Sequence, residues 1–198
     1  MRIVNWLFLF ILIAFLVSCT NTPPIGPSSR QQDLTPERRD EVGQLQTFRP
    51  QIRSLLERRE FLKALRIMQQ QVTLGMSEAS LREEYVIALR GGMIYSEELS
   101  KKERFSECGI YLQQLLNLYP RHLTDLSGVS AGEIRQKMNF CSDQLMIKGL
   151  AAYRAGQMQE AINFWKALLV FNPERTEAEK AIETCSIQLR NLKPKPEV

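Results

Sequence analysis

A single histidine, His122, stands among 198 residues, and it follows Pro120 and Arg121 in a stretch expected to be a loop. With no second histidine, no H-E-x-x-H run and no C-x-x-C pair, the sequence offers no metal site. It also offers no base beside a serine or cysteine nucleophile. Glycine is scarce too. The one adjacent pair, Gly91-Gly92, lies inside a helical pattern and lacks the downstream Gly-Lys-Ser/Thr of a phosphate cradle. The neighbouring acids Glu83-Glu84 and Glu97-Glu98 would point in different directions on a helix, so they read as solvated surface and not as acid–base machinery. No enzyme, cofactor, metal or small-molecule substrate is expected. The 26 basic and 22 acidic residues are interspersed, which argues against the clustered basic face that nucleic acid requires. No window alternates at period two, so no sheet is expected.

What is present begins with a greasy leader. Met1 and Arg2 precede an apolar run from Ile3 to Val17, broken only by Asn5. The run is short for a membrane span, which needs about 20 apolar residues, and suits the apolar region of a secretory signal. It ends at Leu16-Val17-Ser18-Cys19. The following Thr20 to Ser29 is polar, with three prolines and one glycine, and cannot pack a core.

This junction resembles the lipobox of bacterial lipoproteins. The resemblance implies that residues 1–18 are a signal peptide removed before Cys19. It further implies that the Cys19 thiol receives a diacylglyceryl group and the freed α-amino group a third chain. Two or three chains anchor firmly where one holds only marginally. Residues 19–34 are then a lipidated tether. Thr20, standing where aspartate would retain the protein at the inner membrane, implies by similarity to enterobacterial sorting an outer-membrane lipoprotein facing the periplasm.

Residues 35–192 read as one all-α domain, with residues 193–198 as a tail. Thr35 and Pro36 suit the start of a short helix to about Gln46, and Arg49-Pro50 is expected to restart the chain. Ile52, Leu55 and Leu56 share a face. Phe61, Leu62, Leu65, Met68 and Val72 form the next stripe, which Gly75 ends. Ser80 with Glu83 is read as a capping box, opening a helix with an apolar face from about Glu78 to Ser100. Within it, Gly91-Gly92 suggests close packing or a kink. Phe105 to Leu116 follows, closed by Pro120. Ser130 with Glu133 is a second capping box, before a helix to about Arg154 and a turn at Ala155-Gly156-Gln157. Met158 to Leu169 comes next, closed by Asn172-Pro173. Thr176 with Glu179 opens the last helix.

Gly149, Gly156, Ala161, Trp165 and Pro173 place small, turn, small, aromatic and proline residues in one helical hairpin. The spacing recurs at Ser96, Phe105, Cys108, Leu112 and Pro120, with an offset of 53 residues at all but Phe105, and a weaker copy lies at Leu55, Phe61, Ala64 and Met68. The pattern of Leu145 to Pro173 resembles a tetratricopeptide repeat (TPR), whose usual period is about 34 residues. Long first helices and an extra loop at Arg121 to Ser130 account for the larger offset. The resemblance implies a TPR-like helical-hairpin solenoid, with Thr176 to Leu192 as a terminal cap.

The TPR pattern further implies a partner groove lined by the first helix of each pair. Its positions would be Arg90, Met93, Glu97 and Lys101 in one repeat, and Asp143, Met146, Leu150, Tyr153 and Arg154 in the next. Such side chains suit a peptide or helix of a protein partner in the cell envelope. Bacterial TPR lipoproteins assist assembly at the outer membrane: pilotins of secretin pores, components of outer-membrane protein insertion, and adaptors of peptidoglycan enzymes. The implied role is a scaffold or assembly factor for an envelope or secretion apparatus. The rival is a structural homo-oligomer with no peptide groove. Cys108, Cys141 and Cys185 all sit on apolar stripes. Three cannot all pair internally, and both small buried thiols and one inter-hairpin disulfide remain open.

Overall fold

The computed structural model describes residues 36–123 and 129–192. The signal segment, Cys19, the tether, Thr35 and the tail at 193–198 lie outside the described residues. The described residues form seven α-helices: α1 (Pro36–Glu57), α2 (Phe61–Thr73), α3 (Arg82–Lys101), α4 (Phe105–Asn117), α5 (Ala131–Arg154), α6 (Met158–Leu169) and α7 (Thr176–Asn191). A 3-10 turn, Glu78–Leu81, precedes α3. The chain is all-helical, with no strand among the described residues.

Three hairpins, α1/α2, α3/α4 and α5/α6, share one turn. Each is three residues long, and its middle residue has a positive φ: Arg59 at 61°, Glu103 at 55° and Gly156 at 78°. After each, a backbone N–H reaches back to close the first helix, from Glu60 to Leu55 O, Arg104 to Leu99 O and Gln157 to Ala152 O, all at 2.9–3.0 Å. This is the six-to-one bond that terminates helices in a left-handed residue. Five residues beyond each turn centre stands a small buried residue, Ala64, Cys108 or Ala161, where the two helices meet.

The core runs continuously along the hairpins, and each helix packs mainly on its neighbours in sequence. Close approaches occur where a helix offers a glycine to a ring of a neighbouring segment. A Cβ on Gly91 would lie 2.2 Å from Phe61 and one on Gly109 2.3 Å from Phe171. One on Gly149 would lie 2.2 Å from Trp165 Nε1. The adjacent pair Gly91-Gly92 is therefore a packing feature inside an unbroken α3.

Several local expectations are corrected. The chain does not restart at Arg49-Pro50, because α1 passes straight through Pro50. A helix-interior proline costs about 3 kcal/mol. Pro50 faces solvent, while Phe48, Ile52 and Leu55 are buried on one face. Each such burial contributes about 1.5–3 kcal/mol, enough together to hold the helix across the proline. Ser80 is not a helix cap. Ser77 caps the 3-10 turn by accepting from the Ala79 N–H, and the Ser80 hydroxyl is spent donating to Ser77 O at 2.7 Å. Thr176 opens the last helix as expected, as the first residue of α7, and the cap position falls to Arg175, which makes no side-chain cap bond. The Ser130–Glu133 box forms in both directions: the Glu133 N–H donates to Ser130 Oγ at 3.1 Å, and the Ser130 N–H to Glu133 Oε2 at 2.8 Å.

Candidate interaction clefts

The repeat-signature residues occupy the hairpin junctions. Gly149 is seated under the Trp165 indole, Ala161 is fully buried, and Gly156 makes the turn. In the earlier copy Ser96, Phe105, Cys108, Leu112 and Pro120 are all buried, and the residue 53 positions before Gly156 is the turn residue Glu103. Pro173 lies exposed beyond the end of α6. The Ser96 hydroxyl donates to Met93 O at 2.7 Å, which lets a polar residue sit in the core where the next hairpin has Gly149.

The nine expected groove positions divide between two clefts, and two of them enter neither. The larger, ≈ 740 Å³, opens between α3 and α5 with α4 at its floor. Arg90, Met93, Glu97 and Lys101 all line it. Met93 is nearly buried and forms floor, while Arg90, Glu97 and Lys101 stand on the exposed side. The smaller, ≈ 370 Å³, opens between α5 and α7 and takes Met146, Leu150 and Tyr153. Asp143 turns to Arg175, with a 2.8 Å ion pair across to the segment before α7. Arg154 is exposed and lines neither cleft. Tyr153 is fixed by its hydroxyl, which donates to Gln188 Oε1 of α7 at 2.8 Å.

Charge is concentrated at the larger cleft. Lys137 of α5 reaches Glu97 of α3 at 2.7 Å, closing one side of its mouth. The hydrogen bond from Lys137, then its charge and that of Lys101, hold the Glu97 carboxyl below the ordinary carboxylate range. Two thiols meet at the floor. Cys141 Sγ donates to Cys108 Sγ at 3.0 Å, and Cys108 Sγ lies 3.3 Å from Ser96 O. The bond from Cys141 lowers the Cys108 pKa against the opposing effect of burial, with help from Lys137, and the same bond raises that of Cys141. Cys185 is buried apart from them, donating to Met158 O at 3.4 Å between α6 and α7.

Of the apolar part of these walls, sequence reasoning named Met93, Met146 and Leu150 and missed Ile94, Phe140 and Ile147. Ile87 and Ile94 on α3, and Phe140, Ile147 and Leu150 on α5, are each 42–59% exposed. Ile94 and Phe140 line the larger cleft, and Ile147 and Leu150 the smaller. A signal was available. Ile87 pairs with Phe140, and Ile94 with Ile147, at the same 53-residue offset as the buried signature. A core position repeats because every hairpin must fill its interior. An exposed apolar position has no such obligation, since water alone faces it.

Among the described residues no cluster of side chains could hold a metal ion, and no helix is long and apolar enough to cross a membrane. Comparison with protein families, curated proteins and solved structures finds no match to this chain.

Proposed function

We propose that this chain is a membrane-anchored lipoprotein whose TPR-like helical domain docks a helix or extended segment of a protein partner, as a scaffold or assembly factor in the cell envelope. The observation that carries the reading is the apolar stripe outside the core, Ile87 with Phe140 and Ile94 with Ile147, repeated in register with the hairpins and flanked by Arg90, Glu97, Lys101 and Lys137. Exposed isoleucine and phenylalanine on successive helices supply apolar anchors, and a charged rim supplies orientation. The lipobox-like Leu16-Val17-Ser18-Cys19, followed by a proline-rich stretch, supports acylation at Cys19 and a tether. Thr20 supports the outer membrane, facing the periplasm, as the destination.

Cross-linking and affinity capture from cell envelopes test the docking surface. Ile94→Asp with Ile147→Asp should abolish recovery of a specific partner, and Tyr153→Ala with Arg154→Glu should weaken it, while helical content is unchanged. Undiminished capture by the folded double aspartate variant would overturn the docking assignment. Loss of self-association in place of partner capture would favour the homo-oligomer. For the anchor, Cys19→Ala should release the protein from membrane fractions. A wild-type mature form without attached fatty acid would refute acylation.

A further inference from the structure

The three cysteines of the helical domain differ in their surroundings, and the difference selects two of them. Cys108 lies in the first turn of α4, in the second hairpin, and Cys141 lies midway along α5, in the third. Their sulfur atoms are 3.0 Å apart. Both side chains line the floor of the larger cleft and are 2% and 1% exposed, so a donor disulfide reaches them when the two hairpins part or before they close during folding. Cys185 sits between α6 and α7 and bonds a backbone carbonyl.

We propose that Cys108 and Cys141 are a redox-active pair that forms an intrachain disulfide clamping the second hairpin to the third beneath the cleft, with Cys185 remaining a thiol. The oxidant required is an organic disulfide, small or protein-borne. The Cys108 thiolate attacks one sulfur of the donor disulfide, forming a mixed disulfide and expelling the first thiolate. Cys141 then loses its proton and attacks Cys108 Sγ, expelling the second thiolate. Two protein thiols and one donor disulfide become one protein disulfide and two donor thiols. The lowered Cys108 pKa, set by the hydrogen bond from Cys141 and by Lys137, suits it to the first step. The link closes a loop spanning 33 positions. It joins hairpins otherwise held by side-chain packing and the exposed Lys137–Glu97 and Lys148–Glu103 ion pairs, so oxidation tightens the hairpin junction and fixes the cleft floor.

The test uses the full chain, refolded in a mixture of oxidised and reduced glutathione, then acid-quenched, alkylated and mapped by peptide mass. The expected product is one cross-linked peptide pair joining Cys108 to Cys141, lighter by two hydrogens, with Cys185 alkylated. Its melting midpoint should exceed that of the reduced chain by about 5–15 °C. Cys185→Ala should retain the link and the shift, whereas Cys108→Ala and Cys141→Ala should each lose both. Three alkylated thiols at 108, 141 and 185 after refolding in this buffer, or a link that includes Cys185, would overturn the proposal. The outcome is read at Cys108, Cys141 and Cys185, whatever the state of Cys19 and without a docking partner, so its failure leaves the proposed function standing.

Discussion

Gly149→Ala should destabilise the domain although alanine is the better helix former. The new Cβ would lie 2.2, 2.6 and 2.7 Å from Nε1, Cε2 and Cδ1 of Trp165. These atoms belong to a rigid indole that is 3% exposed, so no flexible chain end can swing away. Relief requires the ring or the axes of α5 and α6 to move by about 1 Å, because carbon atoms sit comfortably at about 3.5–4 Å. Helix propensity favours alanine by about 1 kcal/mol. Overpacking a close-packed core costs about 1–3 kcal/mol, and three ring atoms in overlap place this site at the upper end or beyond. The net loss is about 1–2 kcal/mol, or a fall of roughly 3–8 °C in melting midpoint for a domain of this size. Gly43→Ala is the matched control. Gly43 lies exposed in α1 with nothing within 4 Å of its prospective Cβ, so the same change should stabilise by about 0.5–1 kcal/mol. Thermal melts followed by circular dichroism, with urea titration to check that the slope is unchanged, give both values. If Gly149→Ala raises stability, or the two substitutions move it the same way, the glycine-and-ring account of the α5/α6 contact is refuted.

The capping assignments predict that Ser130→Ala costs about 1 kcal/mol by urea denaturation, whereas Ser80→Ala and Thr176→Ala, which remove no helix cap, each cost less than about 0.5 kcal/mol. The shared turn predicts opposite signs at equivalent positions: Gly156→Ala forces a Cβ into φ 78° and should lose about 1 kcal/mol, while Glu103→Gly relieves φ 55°. That gain exceeds the exposed Glu103–Lys148 pair it removes, so Glu103→Gly should melt slightly higher than wild type. For Glu97 the folded pKa is depressed, so its pairing with Lys137 contributes fully above the ordinary carboxylate range and is lost as pH falls through the folded value. The contribution is small because both partners are well exposed. A carboxyl-resolved NMR titration should place the Glu97 midpoint below the ordinary glutamate range, and Lys137→Met should raise it.

Helix existence and core faces were legible because buried residues recur at helical spacing. Of the stripe Leu81, Tyr85, Ala88, Gly92, Tyr95 and Leu99, all but the half-buried Tyr95 are buried, and Gly156 announces its own turn. The equivalent turns were not legible, since neither Arg59 nor Glu103 is a residue type that signals positive φ. Only the fit of both flanking helices forces them there. Pro50 misled for a related reason: a local penalty was read without the burial on either side of it. At the clefts, the seven lining positions followed from which helix of each pair faces outward, whereas Asp143 was drawn away by Arg175, a partner set by tertiary packing. The approach of Cys108 to Cys141 depends on how α4 lies across α5, and no spacing encodes it.

Because each helix finds its main neighbours among those adjacent in the chain, few native contacts require distant segments to search for one another. The entropy of closing long loops, which slows proteins built on remote pairings, is small here. A chain delivered end first, from a ribosome or through any narrow channel, can close each hairpin on the one already in place. Helix α7 follows the three hairpins and packs on α6, so it can close over the third hairpin as soon as it emerges.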